Sequence, residues 1–264
     1  MSMPPGSDPA HRRDPGDSML VATYNAHRGR GPAGWFRPDR ILGVIAEIRP
    51  ELIALQEAQH YLRRGTPMLD ARVMAEELGL RALALPERPD HQGWRSNLLL
   101  VRREAEVLAG PIGLRLGGME PRGALLAVLD LGHGPLRVIG THLSLGAGQR
   151  RVQAGLLLHA METGPGQGLP TLLLGDLNEW RVGRGALGVL ESVFGTPPPA
   201  PTFPAFRPVG SLDRILGWPP GLVTGVAAHD TPLARRASDH LPLTARVGTG
   251  VLAAKSAKGA SARR

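Results

Sequence analysis

Apolar residues along this chain fall into short runs separated by glycine, proline and polar turns. Such runs predict buried strands, whereas apolar residues three and four apart predict helices. Strands are predicted over 19–24, 52–55, 80–85, 96–101, 123–131, 136–141, 171–175, 211–216, 223–228 and 241–247. Helices are predicted from Pro38 to the stop at Pro50, over roughly 67–78, and over about 147–162 with Val152, Leu156 and His159 on one face.

Strands outnumber helices, and Gly132-His133-Gly134 between two apolar runs predicts a hairpin. This arrangement favours an α+β architecture with antiparallel or mixed sheets over a doubly wound parallel sheet. A single domain is expected over 19–247, flanked by disordered tails at 1–18 and 248–264. The proline-rich segment 196–208 is expected to be an irregular surface loop.

The run TLLLGDLNEW (171–180) places a carboxylate and a carboxamide directly after a buried strand. Asp176 and Asn178 follow Gly175, so both leave the core at the same point and face the same space. A carboxylate here is suited to bind a hard cation or take a proton, and an amide to donate to an anion. Ordinary turn chemistry, in which each side chain bonds its own backbone, explains the same residues.

Other predicted strands carry comparable polar residues where the core ends. Each has its own structural explanation, such as a turn asparagine or a solvated acid, but an acid inside the apolar run 211–216 is costly unless it is paired. Together, acids, amides and histidines at the same strand ends indicate one site. The set comprises Asn25, Glu57, His142, Asp176, Asn178, Asp213, Asp239 and His240.

Composition restricts the compartment and the partners. The net charge is +8, and half of it lies in the last ten residues, which hold Lys255, Lys258, Arg263 and Arg264. A basic chain suits nucleic acid, anionic lipid or another phosphate ester, although biased arginine usage explains the charge equally well. The sequence has no cysteine, no secretory signal and no apolar run long enough to span a bilayer. We therefore expect a cytoplasmic protein, and a monomer.

The segments VATYNAHRG, IALQEAQ, NLLLVRR, PRGALLAVL, IGTHLS, LLLGDLNEW, SLDRIL and SDHLPL follow one another in the chain. In this order they resemble the endonuclease/exonuclease/phosphatase superfamily, which includes DNase I-like and exonuclease III-like enzymes. The resemblance covers about residues 19–247. It implies a four-layer α/β/β/α sandwich of two mixed, mostly antiparallel sheets packed face to face. It also implies hydrolysis of a phosphoester with Mg²⁺, or with Mn²⁺ in its place.

The resemblance also implies a role for each matched residue. Glu57 would be the principal metal ligand, with Asn25 close by and Asp239 adding a carboxylate. Asp176 would orient or deprotonate the attacking water, and His240, held by Asp213, would contact the scissile phosphate. The remaining roles are phosphate binding by Asn178, phosphate or leaving-group contact by His142, and accessory phosphate contacts by Asn97 and Arg122.

Three functions follow from these residues. The first is a phosphodiesterase that cleaves a nucleic-acid backbone, which the basic charge favours. The second keeps the chemistry but acts on a phospholipid head group or a soluble phosphomonoester. For a lipid substrate, Trp35-Phe36 and Trp218-Pro219-Pro220-Gly221 are the candidate membrane-facing segments. The third is a binding module without catalysis, which the complete set of acids and histidines disfavours.

Overall fold

Two β-sheets form the centre of the protein. The computed structural model describes residues 18–60, 62, 66–88 and 91–252. The strands are β1 (Ser18–Asn25), β2 (Leu52–Gln56), β3 (Leu80–Ala82), β4 (Leu98–Arg102), β5 (Glu106–Gly117), β6 (Arg122–Asp130), β7 (Pro135–His142), β8 (Thr171–Asp176), β9 (Asp213–Trp218), β10 (Val223–Ala228) and β11 (Leu243–Gly248). One sheet has the strand order β10-β11-β1-β2-β4-β3 and the other β5-β6-β7-β8-β9.

Helices cover the outer face of each sheet. The helices are α1 (Pro38–Ile48), α2 (Ala71–Glu76), α3 (Ala147–Thr163), α4 (Gly185–Phe194) and α5 (Ala234–Ala237). One apolar cluster joins the two sheets. A second lies between strands β1, β2 and β4 and helices α1 and α2, and a third lies between strands β6, β7, β8 and β9 and helices α3 and α4. The order of layers is therefore α/β/β/α, which confirms the predicted α+β sandwich.

The central strands read as unbroken apolar runs because both of their faces are buried. In β8, Leu172 and Leu174 point into the cluster between the sheets, whereas Leu173 packs against the outer helices. In β2, Leu52 and Ile53 divide in the same way between the two faces of the other sheet. The simple alternation of apolar and polar residues expected of a half-exposed strand is consequently absent here.

Each sheet contains one parallel pair among antiparallel neighbours. β1 runs parallel to β2, with Asn25 opposite Gln56, and β7 runs parallel to β8, with His142 opposite Asp176. β9 is antiparallel to β8 and begins with Asp213 opposite Asp176. Parallel strands end at the same edge of a sheet, so this topology collects the polar strand ends.

Several predicted elements differ from the observed ones. Helix α2 begins at Ala71, not near residue 67, because the Asp70 carboxylate caps the amides of Arg72 and Val73. The predicted apolar face of α3 is wrong: Val152 and Leu156 are exposed, and the buried face includes Arg150 and Gln153. Both of these polar residues bond the segment Ser144–Leu145, which turns that face inward. Strand β5 and helix α4 were not predicted.

Two residues bear on the predicted domain limits of 19 and 247. Ser18 is already part of β1, and Leu252 is buried in the cluster between the sheets, so order extends a few residues beyond 247. The rest of the two predicted disordered tails, 1–17 and 253–264, lies outside the described residues. Across the described chain, no helix combines the length and apolar character that crossing a membrane requires.

Candidate active site

Asp176 lies at the centre of the polar cluster, at the end of β8. A Cβ on the preceding Gly175 would sit 1.9 Å from the Thr141 carbonyl oxygen, so only glycine allows β8 this close to β7. The Asp176 side chain is buried and accepts hydrogen bonds from Asn25 Nδ2 at 3.0 Å and from the Asn178 amide at 2.9 Å. The Asn25 bond joins the end of β1 in one sheet to the end of β8 in the other.

His240 faces Asp176 and is held by Asp213. Its Nδ1 donates to Asp213 Oδ2 at 2.8 Å, and Thr202 Oγ1 donates to the same oxygen at 2.5 Å. The ring contacts Phe203, with centroids 4.8 Å apart, while Nε2 lies 3.8 Å from Asp176 Oδ2. The geometry therefore fixes the ring orientation and directs Nε2 toward the Asp176 carboxylate.

The charge around His240 stabilises its protonated form. Burial disfavours the cation, but the charge and hydrogen bond of Asp213, with Asp176 and Asp239 nearby, outweigh burial and raise the pKa of His240 to about 10. Burial raises the pKa of Asp213, and the charge and hydrogen bond of His240 oppose this shift. One Asp213 oxygen accepts hydrogen bonds from both Thr202 and His240, which favours the carboxylate, so we assign an ion pair of a His240 imidazolium and an Asp213 carboxylate.

His142 differs from His240 in both charge and tautomer. Arg122 Nη1 donates to His142 Nδ1 at 3.0 Å, so the ring proton must be on Nε2. Nε2 then directs its proton toward Asp176 Oδ2, 3.5 Å away, whereas Asn178 Nδ2, 3.1 Å away, is itself a donor and cannot accept it. Burial, reinforced by the Arg122 charge and opposed by Asp176, lowers the pKa of His142 to about 4. His142 is thus a neutral donor beside a charged one.

Asp176 stays ionised between these two rings. Burial favours its neutral form, but the two histidines and the hydrogen bonds from Asn25 and Asn178 lower the pKa of Asp176 below its usual value. The Asn178 backbone has a φ of 52°, which an asparagine tolerates, and its side-chain amide donates to the Leu143 carbonyl at 3.1 Å. Asp176 is thus a buried anion between a cationic and a neutral N–H donor.

The three residues expected to bind metal lie at the neighbouring corner. The Ala26 amide bonds the Gln56 carbonyl and Ser238 Oγ bonds the Asn25 carbonyl, which brings together the segments that carry Asn25, Glu57 and Asp239. Glu57 and Asp239 are partly exposed, unlike Asp176. Glu57 has a φ of 50°, an uncommon conformation for glutamate. The structure therefore brings together the segments that carry these residues, and their role as metal ligands stays a prediction.

The side chains at this corner fit a hard divalent cation. His27 Nδ1 is buried without a hydrogen bond and lies 3.5 Å from Asp239 Oδ1. Arg28 Nε lies 3.5 Å from Glu57 Oε2, so neither acid has a close ionic partner at 3 Å or less among the described residues. The donors are two carboxylates and the Asn25 amide oxygen, which already accepts the His27 amide and has a second lone pair. Oxygen donors of this kind suit Mg²⁺ or Mn²⁺.

A second group with metal-binding atoms has another explanation. Asp176, Asp213 and His240 offer ligand atoms within 4.8 Å of one another. Their atoms are already joined by the His240–Asp213 hydrogen bond and by the bonds from Thr202 and Asn25. We therefore treat this group as a hydrogen-bonded cluster and not as the metal site.

Asn97 and Arg122, the two expected accessory phosphate ligands, are buried behind the site. Asn97 Nδ2 donates to the carbonyls of Trp94, Arg95 and Gly123, so it fixes the 94–97 turn to β6. Arg122 bonds His142 and pairs with Glu120 at 2.8 Å. Neither contact involves the space in front of Asp176, so both residues are placed to act through their neighbours.

Sequence reasoning missed several residues that build the site. Thr202 and Phe203 come from the proline-rich segment, which lies against His240 and is more than a surface loop. Arg150 and Glu179 form a buried ion pair behind Asn178, with Nε and Oε2 3.3 Å apart. Glu179 directly follows Asn178 in the motif, which was the one available signal. Thr202 had none, because its contact with Asp213 depends on the fold.

Comparisons with known proteins identify the family and related folds. The chain matches the model of the Endonuclease/Exonuclease/phosphatase family over residues 22–240. Its fold is similar to that of an endonuclease/exonuclease/phosphatase from Bacteroides vulgatus, with a TM-score of 0.66, 17% identity, and coverage of 87% of this chain and 98% of that chain. No curated protein sequence matches.

Two further structures share the fold. A mannosyl-6-phosphatase from Bacteroides thetaiotaomicron has a TM-score of 0.64 and 18% identity, covering 87% of this chain and 100% of its own. TDP2 from D. rerio, complexed with single-strand DNA product, has a TM-score of 0.61 and 15% identity, covering 87% and 98%. From the family match and the assembled site, the chain belongs to the endonuclease/exonuclease/phosphatase family, whose members are hydrolases of phosphoester bonds.

Proposed function

We propose that this chain is a Mg²⁺-dependent phosphodiesterase that cleaves a nucleic-acid backbone by in-line attack of water. One observation carries the proposal. The buried Asp176 carboxylate lies within 4 Å of one cationic and one neutral histidine, and the cationic one is held by Asp213. An anionic phosphate and an attacking water need this combination of a base and N–H donors.

Each group has a task set by its contacts. Asp176 orients the water and accepts its proton, because its pKa keeps it ionised and its oxygens have free lone pairs beyond the bonds from Asn25 and Asn178. His240 donates through Nε2 to a phosphate oxygen, with its ring fixed by Asp213. His142 donates through Nε2 without adding charge, which suits contact with a second phosphate oxygen or the leaving oxygen.

Glu57, Asp239 and the Asn25 amide oxygen would hold the cation. When bound, it supplies charge that stabilises the phosphate and the developing oxyanion of the leaving group. Ser238 helps to place Asp239, because its hydroxyl bonds both the Asn25 carbonyl and the Asp239 carboxylate.

Nucleic acid is the preferred substrate class. The net charge of +8 favours a polyanion, and the D. rerio TDP2 neighbour contains a single-strand DNA product. A phosphomonoester is the second candidate, which the mannosyl-6-phosphatase neighbour supports. A lipid substrate has one supporting observation, because Trp35 is 73% exposed.

The chemistry is tested with the variants Asp176→Asn and His240→Ala. Hydrolysis of bis(p-nitrophenyl) phosphate with Mg²⁺ should fall by more than about a hundredfold in each, and chelator should abolish it in the wild type. Asp39→Asn, at an exposed position on α1, and His159→Ala, an exposed position on α3, are the matched controls. Full activity in either site variant would show that the assignment is wrong.

The substrate is tested with a panel turned over in parallel. Plasmid, single-stranded DNA, RNA, an abasic duplex, sphingomyelin and inositol phosphates are each incubated with Mg²⁺ and with chelator. Metal-dependent turnover of the nucleic acids would support the proposal. Turnover of the lipid or the monoesters alone would replace the nuclease assignment, and binding without any turnover would make the chain a binding module.

A further inference from the structure

A cleft of about 970 Å³ opens directly beside the candidate active site. Its wall includes Ala58, the residue after Glu57, together with the turn that carries Trp94, Arg95 and Ser96. The Ala58 amide bonds the Ser96 carbonyl at 2.9 Å, so this wall is joined directly to the Glu57 segment. None of the hydrolytic groups assigned above lines the cleft, and the chemistry leaves it unused.

Three arginines surround one tryptophan in this cleft. The guanidinium carbons of Arg88, Arg95 and Arg115 lie 5.8, 5.4 and 5.7 Å from the Trp94 ring centroid. Within the described residues, the side chains of Arg88 and Arg115 have no hydrogen bond and no ion pair, and both are exposed. Glu87 is the one acid among the described lining residues, and it pairs with none of the three. Among the described residues, the cleft therefore concentrates positive charge that no lining acid neutralises.

The tryptophan and the third arginine are held rigidly. Trp94 Nε1 donates to the Leu114 carbonyl at 3.1 Å, and a Cβ on Gly113 would lie 2.8 Å from the ring, so the ring packs flat against the β5 backbone. Arg95 Nη1 donates to the Pro121 carbonyl at 3.2 Å, next to Arg122 of the active site. Arg95 Nε is buried and has no partner among the described residues.

The turn that presents Arg95 has an uncommon backbone. Trp94 and Asn97 exchange both backbone hydrogen bonds, and the two residues between them, Arg95 and Ser96, have φ of 46° and 60°. A two-residue hairpin turn of this type favours Asn-Gly, so Arg-Ser is strained. Asn97 stabilises it through three carbonyl bonds. The sequence thus retains a long cation at a position where glycine or asparagine costs less.

We propose that this arginine cleft binds a second phosphate group of the substrate, beyond the scissile one. The inference rests on the proposed phosphoesterase function and specifies which substrates it prefers. Guanidinium groups bind phosphate through paired N–H bonds, and the uncompensated Arg88 and Arg115 are free to reorient onto it. The aromatic ring beneath offers a face for the group that carries this phosphate, a base or a sugar.

The test compares substrates that differ by one phosphate. Wild-type hydrolysis of the dinucleotide TpT is measured against TpTpT, and that of a sugar monophosphate against the corresponding bisphosphate. Loss of one charge-assisted contact gives about a tenfold change, equivalent to about 1.4 kcal/mol. We expect the second phosphate to raise kcat/KM by at least about tenfold, mainly through KM.

The double variant Arg88→Gln/Arg115→Gln should remove this preference and leave the rate on TpT and bis(p-nitrophenyl) phosphate within about twofold. The control Arg72→Gln/Arg103→Gln removes the same charge from exposed positions outside the cleft and should retain the preference. Equal losses in both double variants would reduce the effect to general charge and overturn the proposal. If only the sugar bisphosphate is preferred over its monophosphate, the cleft binds phosphate as proposed, but the substrate is a sugar phosphate and not nucleic acid.

Binding provides a readout that does not need turnover. Anisotropy of a labelled oligothymidylate is measured with Asp176→Asn in chelator, with and without the cleft substitutions. Weaker binding on loss of Arg88 and Arg115, but not of Arg72 and Arg103, supports the cleft even if the chain hydrolyses nothing. Unchanged binding refutes the cleft even if hydrolysis of simple diesters confirms the proposed function.

Discussion

Replacing Arg150 by methionine should destabilise the packing behind Asn178. Arg150 and Glu179 are both nearly fully buried, with Nε and Oε2 3.3 Å apart. Arg150 also donates to the carbonyls of Ser144 and Leu145, and Glu179 accepts the amides of Arg181 and Ala186. The pair therefore ties α3, the segment before it and the start of α4 to the residue that follows Asn178.

The cost follows from burial. Removing one partner of a buried ion pair leaves an uncompensated charge and costs about 3–5 kcal/mol, whereas replacing both partners is far milder. Arg150→Met also leaves the buried Ser144 carbonyl without this donor, at about 1 kcal/mol or more, while the partly buried Leu145 carbonyl can bond water instead. With a urea m-value of about 3 kcal/mol/M, the unfolding midpoint should fall by more than about 1 M.

Urea unfolding followed by circular dichroism measures this change, with the exposed neighbour Arg151→Met as the matched control. The double variant Arg150→Met/Glu179→Gln should be less destabilised than the sum of the single variants, with a coupling energy above about 1.5 kcal/mol. A loss below about 1 kcal/mol for Arg150→Met, or strict additivity in the cycle, would refute the reasoning.

Three further predictions follow from the site. Asp213→Asn should lower kcat on bis(p-nitrophenyl) phosphate by about a hundredfold with little change in KM, and an unchanged kcat would contradict the role of the Asp213–His240 pair. Folding lowers the pKa of His142 to about 4, so as the pH falls below about 6.5 the unfolded chain is protonated at this residue before the folded chain. The free energy of unfolding, measured by urea unfolding in chelator, should therefore fall by up to about 3 kcal/mol from pH 6.5 to pH 4. His142→Gln should make this pH dependence weaker. Gly175→Ala should cost more than about 3 kcal/mol, whereas Gly155→Ala on exposed α3 should be neutral or stabilising, and equal midpoints would refute the close approach of β8 to β7.

Local patterns predicted the elements that form the centre of the sandwich. The runs ending at Asn25, His142 and Asp176 were placed correctly because strands buried on both faces are continuous apolar segments with abrupt polar ends. The same reasoning assigned the polar strand ends to one site. The observed parallel pairs bring these ends to one edge of each sheet. The resemblance to the family then assigned roles that spacing alone left open.

The missed features depend on contacts that no local pattern records. Strand β5 contains Gly110, Pro111 and Gly113 and shifts register more than once against β6, so no regular alternation marks it. Helix α3 buries Arg150 and Gln153 because the backbone of Ser144 and Leu145 and the remote Glu179 carboxylate satisfy them. Thr202 reaches Asp213 only after the proline-rich segment folds over β9.

The hydrogen bond from Asn25 to Asp176 crosses from one sheet to the other, and the two strand ends share no backbone ladder. The outer helices or a loop can shift without altering the distance between Asn25 and Asp176. Sliding one sheet over the other, in contrast, breaks this hydrogen bond. Catalysis should therefore depend on the alignment of the two sheets. We expect turnover to be lost at a lower denaturant concentration than the circular dichroism signal of the strands.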